Sequence, residues 1–460
     1  MTTTEAAERL GVKRATVYAY VSRGLLHPER GPGGSTFDRQ EVARLARSAR
    51  HPAEGVAAAG RRAGGRRRGE GPPAGEGSVP AAPAAGEDPV FVTGLTLIRA
   101  GLFYRGRDAV GLARGWSFER VAEWLWTGAD PGAGVRWPAF GDAGGRVAGS
   151  LSDLGPEVLP VERFVLVTGA AALSDELRHD LDPARVPVTG RRILTALAST
   201  LPLSARARSG PPGSTAAAPP PPSASAPDDG PAGAPAGWPG RSSTLAGQVW
   251  HGLSPREPSE EDLAATDAAL VLGADHELAP STLAARVAAS FRADPYAVVL
   301  TGLGPSSGSW PPGSTGAPGE VEALLERAAQ IGAERAVGEH LRRSGQAPHG
   351  FGMPLYPAGD PRGRALLERI DRVGDPERRR VVQAVLEVAR DRGFPAPNFD
   401  MGIGALSFCA EMVPGAGQAL FTLAKVAGWL AHAMEEYAVP TRFRSRADYV
   451  GAAPEASCGS

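Results

Sequence analysis

Apolar residues recur at helical intervals through two long stretches of the chain, residues 90 to about 203 and 243 to about 437. Near the end of the second, Leu420, Leu423, Ala424, Ala427, Leu430, Ala431 and Met434 fall at i, i+3, i+4 and i+7 and predict one long helix. The period-two alternation of a half-buried strand is sparse, so the pattern predicts a mostly α-helical body. The first 50 residues read as a smaller helical module. A threonine cap at Thr3 or Thr4 leads into a helix over 5–10, closed by Gly11. Residues 13–22 form a second short helix, and Gly24 with Leu25 and Leu26 turns the chain. The glycine-rich run 30–35 predicts a turn or wing, and Asp38 with Glu41 predicts a capped third helix to about Arg50.

The periodic stretches are separated by segments almost without large apolar side chains. Residues 51–89 read as a flexible linker, and about 205–241 as a disordered insertion carrying four consecutive prolines, Pro219 to Pro222. A hydrophobic content of 42% excludes wholesale disorder for the rest. The formal charge of −1 hides an asymmetry: residues 1–68 carry 14 basic against 6 acidic side chains, a head suited to a polyanion. Two cysteines exclude a disulfide framework and a four-thiolate metal site, and the eight histidines show no metal-ligand spacing, so no metal is expected. The most apolar run, 418–434, is interrupted by Lys425 and His432 and is too short to span a bilayer. With no apolar core after the basic N-terminal residues, a cytoplasmic location without membrane partners is the expectation.

Generic cofactor signatures are missing. There is no phosphate-binding loop, and Gly302-Leu-Gly304 lacks the third glycine and the preceding strand of a dinucleotide fingerprint. Two clusters remain. His349-Gly-Phe-Gly-Met-Pro-Leu-Tyr356 is a glycine-rich bend followed by Asp360-Pro-Arg362, and Pro397-Asn-Phe-Asp-Met-Gly402 sets one carboxylate at the start of an apolar run. Taken alone, Asp400 reads as a helix cap more readily than as a catalyst.

The first 50 residues resemble the MerR/excisionase-type helix-turn-helix, through the run from Thr4-Glu-Ala-Ala-Glu-Arg-Leu-Gly to Val21-Ser-Arg-Gly-Leu-Leu26. That resemblance makes 13–22 a recognition helix. It implies DNA contacts by Lys13, Arg14, Thr16, Tyr18, Tyr20 and Arg23, although such modules also bind proteins.

The body resembles citrate synthase over about 91–451. The matching blocks are Leu102-Phe-Tyr-Arg-Gly-Arg-Asp108, Asp275-His-Glu-Leu-Ala-Pro-Ser-Thr282, Gly350-Phe-Gly-Met-Pro-Leu-Tyr356 with Asp360-Pro-Arg362, Pro397-Asn-Phe-Asp400, and Arg444 with Tyr449-Val-Gly451. Five blocks in order are far more specific than any one. The resemblance implies an all-α fold of a large and a small helical domain, the small one over about 243–356. It also implies a homodimer; a mixed oligomer with a paralogue is the alternative assembly. The reaction it implies is a Claisen-type condensation of acetyl-CoA, or a short acyl-CoA, with oxaloacetate to citrate. Coenzyme A thioester is then a substrate, and no cofactor is held permanently.

By the same resemblance Asp400 is the base that takes the α-proton, while His276, Arg362, Lys425 and Arg444 bind the oxo acid, Arg444 across the dimer. Planar guanidinium groups suit this because they meet carboxylates with two parallel hydrogen bonds. This chain departs at three places. Met353 stands where the family has the histidine that polarises the oxaloacetate carbonyl, and a thioether donates no hydrogen bond. Ser314 falls where the donor to the enol oxygen should be, in the Pro/Gly/Ser-rich stretch 309–319. Lys425 replaces a carboxylate-binding arginine. Each lost oxyanion donor costs about 100- to 1,000-fold in rate. Two classes of function follow: an acyltransferase of weakened activity, or a DNA-binding regulator whose body senses a carboxylate or a CoA ester. A partner subunit lending Arg444 to an intact paralogue is a variant of the first.

Overall fold

The computed structural model describes residues 2–10, 17, 21, 26, 28–31, 34–37, 42, 91–138, 151, 154, 158–203, 244–306, 317–441, 443 and 451. They fall in two compact units, one comprising Met1–Asp88 and Arg444–Ser460, the other Pro89–Phe443.

In the smaller unit a helix spans Thr3–Leu10. Its cap is Thr2, not Thr3 or Thr4 as expected: the Glu5 amide donates to Thr2 Oγ1 at 3.3 Å, and the Thr2 amide donates to Glu5 Oε2 at 2.6 Å. A reciprocal box needs its hydroxyl three residues before its carboxylate, and only Thr2 stands at that distance from Glu5. The expected wing is a hairpin of Pro28–Gly31 and Gly34–Phe37, with Pro28 opposite Phe37. Ala6, Ala7, Val17, Leu26, Phe37 and Val42 form the core of this unit. Lys13, Arg14, Thr16, Tyr18, Tyr20 and Arg23 lie outside the described residues, as do the linker at 51–89 and the insertion at 205–241.

The larger unit opens with a three-stranded antiparallel sheet, Thr96–Ile98, Leu102–Tyr104 and Arg107–Asp108. Strands this short show no alternation in the sequence. What makes the second hairpin is its turn: Arg105 and Gly106 both adopt left-handed backbone, at φ 42° and 82°, as a two-residue hairpin turn requires. Helices follow in succession to Ala416–Ala438, the long helix expected from the periodicity. Almost every residue from Ala416 to Ala433 is buried, including Lys425 and His432, because neighbours pack on several sides of this helix. They include Phe118–Thr127, Glu260–Gly273, Pro280–Ser290, Pro295–Ser306 and Phe399–Cys409. Among the described residues no helix is long and apolar enough to cross a membrane.

Two helices position the candidate chemistry, Pro361–Ile370 and Phe399–Cys409. They cross at Gly363, where a Cβ would lie 2.3 Å from the Asn398 carbonyl, and at Gly402, which faces Leu366. Absent side chains at these two points bring the N-terminal turns of both helices together.

Candidate active site

Asp400 is the second residue of its helix, and the cap is Asn398. The Asn398 side-chain oxygen accepts the amides of Asp400 at 2.9 Å and Met401 at 3.3 Å. Its Nδ2 donates to the Gly352 carbonyl at 2.9 Å, and its backbone amide donates to the Gly350 carbonyl at 2.9 Å. The glycine-rich bend is thereby fastened to this helix start. Asp400 is not a cap, contrary to the bare sequence reading, since Asn398 already occupies that position. Its carboxylate is buried and makes no hydrogen bond among the described residues. Burial pushes its pKa up to about 7, against the opposing charges of Arg362 and Lys425 and with Asp360 adding to the rise.

Arg362 stands in the first turn of its own helix, which Asp360 caps. Asp360 also grips the guanidinium, Oδ1 accepting from Nε at 3.1 Å and Oδ2 from Nη2 at 2.8 Å. The cation lies 4.7 Å from the Phe399 ring centroid. Lys425, midway along the long central helix, is 3% exposed. Its Nζ has no hydrogen-bond partner among the described residues and sits 5.6 Å from the Phe421 ring centroid. Burial lowers its pKa to about 8, with Arg362 acting in the same sense and Asp275 and Asp400 against it.

His276 follows the Glu260–Gly273 helix and is buried, Nε2 lying 3.0 Å from the Tyr356 hydroxyl. Burial, with the charges of Arg362 and Lys425, holds it well below the usual histidine range, so the ring is neutral at pH 7. Its neighbour Asp275 accepts from Thr96 Oγ1 at 2.5 Å and from His432 Nε2 at 3.1 Å. Arg286 Nη1 lies 3.1 Å from His432 Nδ1, so that nitrogen accepts and the proton belongs on Nε2. Arg286 is itself paired with Glu435 and Glu436. Tyr104, from the Leu102–Tyr104 strand, fixes the same segment: its hydroxyl lies 3.1 Å from the carbonyls of Val271, Leu272 and Asp275.

Asp400, Arg362, Lys425 and His276 are thus brought into one buried electrostatic cluster. Ser314 and Arg444 lie outside the described residues. Met353 is half-buried and lines a cavity of about 450 Å³, together with His349, Tyr356, Pro395 and Asn398. His349 pairs with Glu320 at 3.2 Å. Sequence reasoning passed over Tyr356, Asp360, Asp275 and Tyr104 as site residues, although each stands inside a block that it quoted. Among the described residues no cluster of His, Cys, Asp or Glu suits a metal ion.

A family model described as "Citrate synthase, C-terminal domain" matches residues 87–446, more than three quarters of the chain. The chain belongs to the citrate synthase family. A separate helix-turn-helix domain model matches residues 1–50. The chain is similar to "Putative citrate synthase 2" of Mycobacterium tuberculosis, 34% identical over 216 residues, which is 45% of this chain and 55% of that relative. Its match thus spans little more than half the length of that relative. It is 28% identical to the citrate synthase of Haloferax volcanii over 371 residues, 76% of this chain and 89% of the other. Among solved structures, citrate synthase of Thermoplasma acidophilum in ternary complex with carboxymethyl coenzyme A and oxaloacetate shares the fold. Its TM-score is 0.59 at 22% identity, covering 80% of this chain and 95% of that one. Citrate synthase of Thermotoga maritima is similar at a TM-score of 0.58 and 19% identity.

Proposed function

We propose that the citrate-synthase-like body is an acyltransferase that condenses acetyl-CoA, or a short acyl-CoA, with oxaloacetate, at a rate lowered by the changes at Met353 and Ser314. The observation that carries this reading is Asp400, a buried carboxylate with a pKa of about 7 at a helix start beside Arg362 and Lys425. A thioester α-proton is weakly acidic, and a base poised near neutral pH is suited to take it. The enol then attacks the oxo carbon, and hydrolysis of the thioester releases citrate and coenzyme A. Arg362 and Lys425 answer the charges of the dicarboxylate, neutral His276 contributes a hydrogen bond, and Arg444 of a second subunit completes the site. The partner subunit is a second copy or a paralogue.

The test is thiol release from acetyl-CoA and oxaloacetate by the pure protein. We expect slow turnover that Asp400→Asn lowers by a further 100- to 10,000-fold or so. Turnover unaffected by that substitution refutes the assignment of the base.

A second reading is supported by the helix-turn-helix match at residues 1–50 and the basic surplus of the head. In it the protein binds DNA, and the body reports a carboxylate or CoA ester. Phosphate contacts make DNA affinity fall steeply with salt, so a flat salt dependence argues against it.

A further inference from the structure

Lys425 is the only lysine in the body; the other lysine of the chain is Lys13. A buried ammonium whose three protons meet no acceptor is poorly placed, whereas a neutral amine with a free lone pair is not. Arg362 cannot give up its own proton, and its charge favours the neutral amine. A desolvated lysine beside a second cation is the arrangement that makes an amine nucleophilic. Where the family resemblance puts a histidine that polarises the oxo carbonyl, this chain has Met353, whose thioether donates no hydrogen bond.

We propose that Lys425 attacks the carbonyl carbon of a bound 2-oxo dicarboxylate to form an imine, and that the chain thereby decarboxylates oxaloacetate to pyruvate. The proposal rests on the reading that this site binds the oxo acid. The Nζ lone pair forms a C–N bond at C2, and the carbonyl oxygen takes one proton from the amine and one from Asp400 and leaves as water. The resulting iminium accepts the electron pair of the C3–carboxylate bond as carbon dioxide departs, leaving an enamine. C3 takes a proton from solvent, water adds at C2, and cleavage of the C–N bond frees pyruvate and the amine. No oxidant is required. Addition of an acyl-CoA enol to the iminium would instead leave a C–N single bond that water cannot hydrolyse. The imine therefore leads to loss of carbon dioxide and competes with condensation.

The charged groups whose fields act on Nζ are Asp275, Arg362 and Asp400. With its pKa at about 8, about a tenth of Lys425 is neutral at pH 7. As pH rises the amine gains its competent form while Asp400, at about 7, loses the proton it must give, so imine formation is greatest between those two values.

The experiment uses the full chain with oxaloacetate and, separately, pyruvate, each with cyanoborohydride. The expected result is a mass gain equal to the bound acid less one oxygen atom, mapped to Lys425 and not to Lys13 or the terminal amine. Pyruvate release, coupled to lactate dehydrogenase, exceeds the spontaneous rate and returns to it in Lys425→Met and Lys425→Arg. Calorimetry with oxaloacetate separates the two readings. Wild-type protein that binds oxaloacetate yet gains no adduct at Lys425 and releases no extra pyruvate overturns the imine and leaves condensation standing. Failure to bind oxaloacetate overturns both.

Discussion

The carboxylate of Asp360 joins the first turns of two helices: Oδ1 accepts the backbone amide of Arg362 at 3.0 Å, and Oδ2 accepts that of Phe399 at 3.2 Å. The same two oxygens hold the Arg362 guanidinium. One buried side chain therefore fixes a candidate substrate cation and the helix start that carries Asp400. Asp360→Asn should act on both. Breaking a buried pair costs on the order of 3–5 kcal/mol, read as a shift in a urea melt. Loss of a like charge near Asp400 lowers that carboxyl's pKa, so the acid limb of any surviving condensation moves to lower pH. A destabilised variant with an unmoved acid limb would mean that Asp360 is structural only.

The pKa of Asp400 sets a stability prediction of definite sign. Its folded-state value is raised from 3.8 to about 7, so between those values the folded chain binds more protons than the unfolded one. Stability is lost as pH rises through that window and stays reduced above it. Asp400→Asn, which mimics the protonated form, should therefore stabilise the protein at pH 8 by up to about 4 kcal/mol while condensation is lost. A melting temperature that falls at pH 8 would contradict this.

Condensation itself should follow a bell-shaped pH profile. Asp400 must lose its proton, giving a rise through about 7, and Lys425 must keep its own to answer a carboxylate, giving a fall above about 8. Lys425→Arg should remove the descending limb, because a guanidinium stays charged over the whole range. Retention of that limb in the variant would assign it to another group.

Much of this site was legible because its residues stand in short contiguous blocks. Asp400, Arg362 and His276 were each named from such a block, and the structure gathers all three around Lys425. The turn behind Leu102-Phe-Tyr-Arg-Gly-Arg-Asp108 was not legible as a hairpin, since strands of two and three residues carry no periodicity. The cap at Asn398 was misassigned to Asp400 because both residue types favour helix starts, and only backbone position separates them. Asp360 entered only as the first residue of the Asp360-Pro-Arg362 block. Its grip on Arg362 and on the Phe399 amide joins residues 39 apart, which no local pattern reports.

Restoring donors tests how far Met353 limits the rate. Met353 lines the cavity together with Asn398, the cap of the Asp400 helix, and by the family resemblance a histidine at this position polarises the oxo carbonyl. Met353→His should raise condensation by about 100-fold or more if a preorganised donor is what the site lacks. Adding Ser314→His should raise it further, though less than multiplicatively, because such groups act as a unit. No gain in either variant would place the deficit in positioning of the substrate.

Gly363 offers a test of positioning that touches no polar group. A Cβ there would meet the Asn398 backbone at 2.3 Å, and backbone at a helix cap cannot rotate aside as a flexible side chain does. Relief requires the Phe399–Cys409 helix to retreat, taking Asn398 and Asp400 with it. Gly363→Ala should cost about 1–3 kcal/mol or more by overpacking and should lower kcat beyond the effect on binding. Gly319→Ala is the matched control, since Gly319 lies in the Ala317–Ile331 helix with nothing among the described residues within 4 Å of its added Cβ. There the gain in helix propensity should stabilise the fold by up to about 1 kcal/mol. Equal melting temperatures for the two variants would show that the helix crossing yields at Gly363 without displacing the carboxylate it positions.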